Sequence, residues 1–200
     1  MHIYTIYFIC LLGGYLIGSI LFAEIMVRIA KGRDIRKMGN TNPGAQNIYL
    51  HVSKVLGTLT GLLDAFKSLI PMIIADYYFD LPDFALGLIG IGAILGHIYP
   101  LYFRFRGGKG AAVIMGIYLF FVQWELLTAF VVAPIVVYIA FKKNHGVWLP
   151  YALLMTTATI SMFTNHSPEV KTVILATVIL GWSYNIRTLP AIVKMMLKRE

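Results

Sequence analysis

Seven runs of apolar residues, about Thr5–Ile29, Val55–Ala75, Phe84–Phe103, Ala111–Val122, Leu126–Phe141, Val147–Phe163 and Thr172–Leu189, take up most of this 200-residue chain. A membrane crossing needs roughly 20 apolar residues, and the lipid interior admits only elements that satisfy their own backbone groups. The pattern predicts an all-α integral membrane protein of about seven transmembrane helices. Composition excludes the alternative of a soluble domain, since 58% of the residues are hydrophobic and only 13% charged, well outside the usual balance. The loops between runs are too short to hold a second domain, so residues 1–200 are read as one multi-pass membrane domain.

The fourth and fifth runs are short, and the intervening Gln123-Trp124-Glu125 is compatible with one long helix. Charge decides the matter. Arg28, Lys31, Arg33, Arg36 and Lys37, then Arg104, Arg106 and Lys109, then Lys142 and Lys143, and finally Lys194, Lys198 and Arg199 share one side only if two helices separate each cluster. Residues 111–141 are therefore expected to cross twice, with the N-terminus outside and the C-terminus cytoplasmic. The alternate loops carry Asp76, Asp80 and Asp83, then Glu125, then Glu169 with Lys171. The first run has no basic residues before it and is long for a signal sequence, so it is read as a retained anchor. A net charge of +8 gathered in these clusters points to anionic lipids or phosphorylated substrates rather than nucleic acid. The lone Cys10 excludes an internal disulfide and any CxxC motif.

Two of the basic loops have the makings of a site. The first contains Gly39-Asn40-Thr41-Asn42-Pro43-Gly44-Ala45-Gln46-Asn47. Glycine lets successive amides converge on an anion and Asn adds donors, although ordinary turns use the same residues. The second runs from Gly96-His97 to Arg106-Gly107-Gly108-Lys109-Gly110, just before an apolar helix. Fixed cations and glycine amides at a helix start outline a phosphate site. A Walker A loop is excluded, because Gly110 stands where a Ser or Thr would bind magnesium. His97 is compatible with a general base or with a packing hydrogen bond.

Glu24, Asp64 and Lys67 lie inside apolar runs, where each charge implies a partner or a watery cavity. Asp64 and Lys67 are three residues apart on one helix face and are expected to neutralise each other. Asn185 and Arg187 bring polar groups to the last boundary. No His is followed by an acid at the fifth position, which excludes the His-x4-Asp acyltransferases, and no GxSxG or HExxH motif occurs to support serine or zinc chemistry. Neither a metal nor a cofactor is expected.

Taken together, Gly18-Ser19-Ile20 with Glu24, Asp34-Ile35-Arg36 with the Gly39-to-Asn47 loop, Leu63-Asp64 with Lys67, and GHIYPLYFRFRGGKG from Gly96 to Gly110 resemble the bacterial acyl-phosphate:glycerol-3-phosphate acyltransferases, the PlsY family, over nearly the whole chain. The resemblance implies a seven-helix inner-membrane enzyme with its conserved loops on the cytoplasmic side, using acyl-phosphate and glycerol 3-phosphate as substrates. It implies catalytic roles for Lys109, His97 and Asn185. It also implies substrate binding by Asn40, Asn42, Asn47, Arg106, Gly107, Gly108 and Arg187, with the hydroxyl proton taken by His97 or by a phosphate of the substrate. The chain departs from the family pattern in three places. Asn40 replaces a Ser and Gln46 a Thr in the first motif; Leu50 stands where a substrate-binding Arg is usual; and Arg187 is displaced by one position in the third motif. Two rivals fit the same loops. A transporter for a small phosphorylated anion would show repeats and broken helices at mid-membrane, which the sequence does not display, and a noncatalytic paralogue would explain the departures but not the retained GGKG.

Overall fold

The computed structural model describes residues 2–141 and 145–185, which divide into two compact helical units, Met1–Phe120 and Phe121–Glu200. Among the described residues there is no strand. In the first unit the helices are α1 (Ile3–Gly18), α2 (Phe22–Lys31), α3 (Ala45–His51), α4 (Lys54–Phe79), α5 (Asp83–Ile98) and α6 (Ala111–Phe121), with 3₁₀ turns at Ile35–Lys37 and Leu101–Phe103. The second contains α7 (Gln123–Phe141), α8 (His145–Phe163) and α9 (Pro168–Asn185). Four stretches, Ile3–Lys31, Lys54–Phe79, Asp83–Phe103 and Gln123–Ala140, are long and apolar enough to cross a membrane, and Ala111–Phe121 and Trp148–Phe163 are shorter apolar helices. Their outward faces carry residues such as Phe8, Leu12, Leu62, Phe66, Ile70 and Ile73, a surface that lipid rather than water covers.

Each expected apolar run contains a helix, but the third is helical only to Ile98, followed by Tyr99-Pro100 and the 3₁₀ turn, and residues 186–189 of the last lie outside the described residues. The first is not continuous. Its helix stops at Gly18, Ser19 turns its hydroxyl back to the Tyr15 carbonyl at 2.8 Å, and helix resumes only at Phe22. The Gly18-Ser19 pair is the one local signal in the run, and the break is held from elsewhere in the chain. α6 ends at Phe121 and α7 begins at Gln123, and the carbonyl of Val122 between them accepts from Leu126 at 2.9 Å and so opens the next helix.

Glycine decides how α1 packs on α5. Gly14 and Gly18 lie four apart on one helix, and Gly92 and Gly96 four apart on the other. A Cβ at Gly14 would come within 2.1 Å of the Ile89 carbonyl oxygen, and one at Gly96 within 2.2 Å of the Tyr15 oxygen. Backbones this close are the small-residue mode of membrane helix packing, in which dispersion contact replaces a hydrophobic driving force. The same device brings α6 to α4. Gly116 abuts the Ala65 carbonyl, and the Ser68 hydroxyl donates to the Val113 carbonyl at 2.8 Å.

In the second unit α7 packs on α8 and α8 on α9, and α7 buries Leu126, Ala129, Ala133 and Val137 along one stripe. Glu125 in its first turn meets His166 at 2.7 Å.

Candidate functional site: two loops meeting at His97

The first loop is built around two buried or half-buried acids. Glu24, fully buried in α2, accepts from the Ile35 amide at 3.2 Å, pairs with Arg28, and lies 3.5 Å from Arg36. Asp34 accepts from the Arg36 amide at 2.9 Å and from its guanidinium at 3.0 Å, which shapes the 3₁₀ turn. That guanidinium bond holds the Asp34 carboxyl down to about 2 and raises Arg36 above its ordinary value, so the pair stays ionised at any physiological pH. Arg36 also donates to the Phe103 carbonyl at 3.4 Å, a link to the second loop. The in-span charge at Glu24 is thus an anchor for the loop that follows it.

Asn47 organises the rest. Its Nδ2 donates to the Met38 and Asn42 carbonyls at 2.9 and 3.0 Å, and its Oδ1 accepts from the Asn40 amide at 3.0 Å. Asn40 in turn accepts from the Asn42 amide at 3.1 Å. A fully buried Asn that satisfies three backbone groups holds the loop in shape, so its side chain reaches a substrate only through the loop it builds. Gly39 (φ 54°) and Thr41 (φ 63°) take the left-handed conformations that this path requires. Asn40 is exposed and Asn42 half-buried, and Thr41 and Gln46 are exposed beside them.

The second loop folds back on the end of α5, and here an expectation needs correcting. The Gly107 and Gly108 amides are not held ready for an anion. Gly107 donates to the Ile98 carbonyl at 3.1 Å and Gly108 to the His97 carbonyl at 3.0 Å, replacing partners that the last turn of a helix otherwise lacks. The glycines are required by closeness, because a Cβ at Gly107 would lie 1.9 Å from the His97 oxygen, and one at Gly108 2.4 Å from His97 Nε2 and 3.1 Å from the Pro43 oxygen. Gly108 is therefore the point where the two loops and His97 meet. Arg106 is exposed on one side of this pair and Lys109 half-buried on the other, just ahead of α6. Asn185 ends α9, while Arg187 lies outside the described residues.

Beneath the loops is a buried polar cluster. Lys67 Nζ is 3.0 Å from Asp64 Oδ1, as the three-residue spacing led one to expect. It also donates to the Gly18 and Ile20 carbonyls at 2.9 and 3.0 Å and contacts His97 Nδ1 at 2.8 Å. The broken first helix is thus explained: its freed carbonyls hold an ammonium. A break of this kind is the transporter feature that the sequence did not display, but here the freed groups are taken by the protein itself. Ser19 completes the arrangement by accepting from the Leu101 amide at 3.2 Å. Sequence reading missed the joining of Lys67 to His97 and the roles of Ser19 and Arg36. The Gly18-Ser19 pair inside the first apolar run was the available signal.

The chain matches the glycerol-3-phosphate acyltransferase family over residues 8–192. It is 40% identical over 134 residues to a glycerol-3-phosphate acyltransferase of Syntrophotalea carbinolica, covering 67% of this chain and 68% of that one. It is 38% identical over 152 residues to that of Aquifex aeolicus, covering 74% and 73%. Its fold matches the crystal structure of PlsY, an integral membrane glycerol 3-phosphate acyltransferase in its glycerol 3-phosphate form, with a TM-score of 0.80 and 26% identity, over 97% of this chain and 94% of that one. The sequence match spans nearly the whole chain and the fold agrees with it, and the chain belongs to the glycerol-3-phosphate acyltransferase family.

Proposed function

We propose that this chain transfers a fatty acyl group from acyl-phosphate to the 1-hydroxyl of sn-glycerol 3-phosphate, giving lysophosphatidic acid and phosphate, at the cytoplasmic face of a bacterial inner membrane. The observation that carries the reading is the meeting of the Asn40–Asn42 loop and the GGKG loop at Gly108 beside His97, in a chain of this family. The family match runs across both helical units, which supports one acyltransferase domain.

The hydroxyl oxygen attacks the acyl carbonyl carbon, the bond from that carbon to the phosphate oxygen breaks, and the hydroxyl proton is passed to a phosphate. An acyl-phosphate already carries a good leaving group, so no acyl-enzyme is needed. Lys109 and Arg106 supply the positive charge that develops its value as the phosphate departs. Asn40 and Asn42 orient the acceptor, with Asn47 holding both through the loop. Gly107 and Gly108 serve by allowing the close approach of the loop to His97. Asn185 and Arg187 join the proposal on the strength of their sequence motif. The tail of the donor lies among lipid-facing helices while its head reaches the cationic loop.

The test uses purified protein in detergent, supplied with acyl-phosphate and labelled glycerol 3-phosphate, and measures lysophosphatidic acid. Product is expected with acyl-phosphate and not with acyl-CoA, and Lys109→Ala should reduce turnover at least ~100-fold, as loss of an oxyanion donor does. Activity with acyl-CoA alone, or a near-normal Lys109→Ala enzyme, would reject the mechanism.

A further inference from the structure

Lys67 is more than the counter-ion of Asp64. Its Nζ has four polar neighbours, the Gly18 and Ile20 carbonyl oxygens, Asp64 Oδ1 and His97 Nδ1, all within 3.0 Å. The two carbonyls each take a proton from the nitrogen, and the Asp64 carboxylate faces it as an ion pair without a hydrogen bond; both favour the ammonium form. An ammonium has three donors and no acceptor. The third proton points to the His97 nitrogen 2.8 Å away, which therefore accepts; a proton on Nδ1 would face the ammonium at that distance and reach Asp64 Oδ1 only at 3.5 Å, a contact that makes no hydrogen bond. A neutral imidazole that accepts at Nδ1 carries its proton on Nε2. Nε2 is the atom facing Gly108, where the two loops meet. His97 and Lys67 are 3% and 4% exposed, so water does not compete for Nδ1.

We propose that Lys67 is a positioning residue which, through Nδ1, fixes His97 as the Nε2–H tautomer, so that His97 offers the loop junction a hydrogen-bond donor and not a base. This rests on the acyl-transfer reading for its purpose, but not for its geometry. The hydroxyl proton then goes to a phosphate, and the role left to His97 is to donate from Nε2 to a phosphate or acyl oxygen of the bound substrates. Asp64 and the α1–α2 break act one step further back, by keeping Lys67 charged and in place.

The tautomer is read directly by nitrogen NMR of the full chain in detergent with ¹⁵N-labelled histidine, the His97 signals being those lost in His97→Gln. The expected spectrum has an unprotonated Nδ1 and a protonated Nε2. In the double variant Lys67→Met with Asp64→Leu, which removes both charges and leaves neither unpaired, the preference for Nε2–H should be lost. kcat should fall at least ~tenfold, with KM for both substrates within about twofold. A protonated Nδ1 in active wild-type enzyme would overturn the proposal, as would a double variant that keeps both the Nε2–H signal and wild-type kcat. If the double variant does not fold, the wild-type spectrum decides alone. An inactive wild type showing the Nε2–H signal would overturn the acyl-transfer reading and leave the tautomer assignment standing.

Discussion

Replacing Gly108 by Ala adds one methyl group at the point where both loops meet His97. The new Cβ would lie 2.4 Å from His97 Nε2 and 3.1 Å from the Pro43 oxygen, whereas ordinary contact begins near 3.4 Å. The loop and the ring must part by about 1 Å. The ring cannot easily yield, since its other nitrogen is 2.8 Å from Lys67 and it is buried. Gly108 is not among the glycines with positive φ, so backbone strain does not contribute and the crowding acts alone. Overpacking of this sort costs about 1–3 kcal/mol, which at ~2–4 °C per kcal/mol for a chain of this size lowers Tm by several degrees. A displacement of about 1 Å at reacting groups costs roughly 100-fold in rate. Phosphate release measured with saturating acyl-phosphate and glycerol 3-phosphate should therefore fall by that order while the protein still elutes as a folded species. Gly13→Ala is the control, because a Cβ there meets nothing within 4 Å; it should leave kcat unchanged. A Gly108→Ala enzyme within threefold of wild-type kcat would refute the junction as the seat of the chemistry.

Leu50, where the family usually has an Arg, is 61% exposed on α3, so Leu50→Arg is sterically free; together with Asn40→Ser it should lower KM for glycerol 3-phosphate severalfold, since a charge-assisted bond is worth about 1.5–3 kcal/mol, and an unchanged or higher KM would mean another cation already grips the phosphate. Asp34, depressed to about 2 by the Arg36 bond, contributes stability that is fully present above the unfolded carboxylate value of about 3.9 and is lost as pH falls through its folded value. Melting curves of wild type and Asp34→Asn should thus differ by a constant amount from pH 7 to about 4 and converge near pH 2, and a difference that varies between pH 5 and 7 would contradict the assignment. In a Cys10→Ala background, cysteines at positions 41, 110 and 144 should be shielded from an impermeant thiol reagent in intact cells while those at 80 and 167 label; the opposite pattern would invert the proposed orientation.

The helices were legible because lipid leaves a chain little choice, and an apolar run of sufficient length has one way to satisfy its backbone. The Asp64–Lys67 pair was legible because both residues lie on one turn of one helix. The loops were recognisable as a pair by their glycines, asparagines and cations, yet the use of those groups was not. Free amides at Gly107 and Gly108 were expected from spacing, whereas the structure gives them to the carbonyls of Ile98 and His97, a choice set by how α5 ends in space. Lys67 binds carbonyls 47 and 49 residues earlier and a ring 30 residues later. Local pattern carries no information about partners at such separations. The four glycines of the α1–α5 crossing are legible in principle, since each helix shows the pair at a spacing of four.

The interruption at Ser19 also has a history within the life of each molecule. When α1 enters the membrane during synthesis, Lys67 is still nearly fifty residues away, which at ~5–20 residues per second is a delay of some seconds. Through that interval the Gly18 and Ile20 carbonyls have no ammonium to receive them, and hydrocarbon offers no substitute. Those two carbonyls can meet their ammonium only once α4 has been made. The arrangement around His97 is thus one that no single segment holds by itself: it exists only where the end of the first helix and the middle of the fourth have found each other.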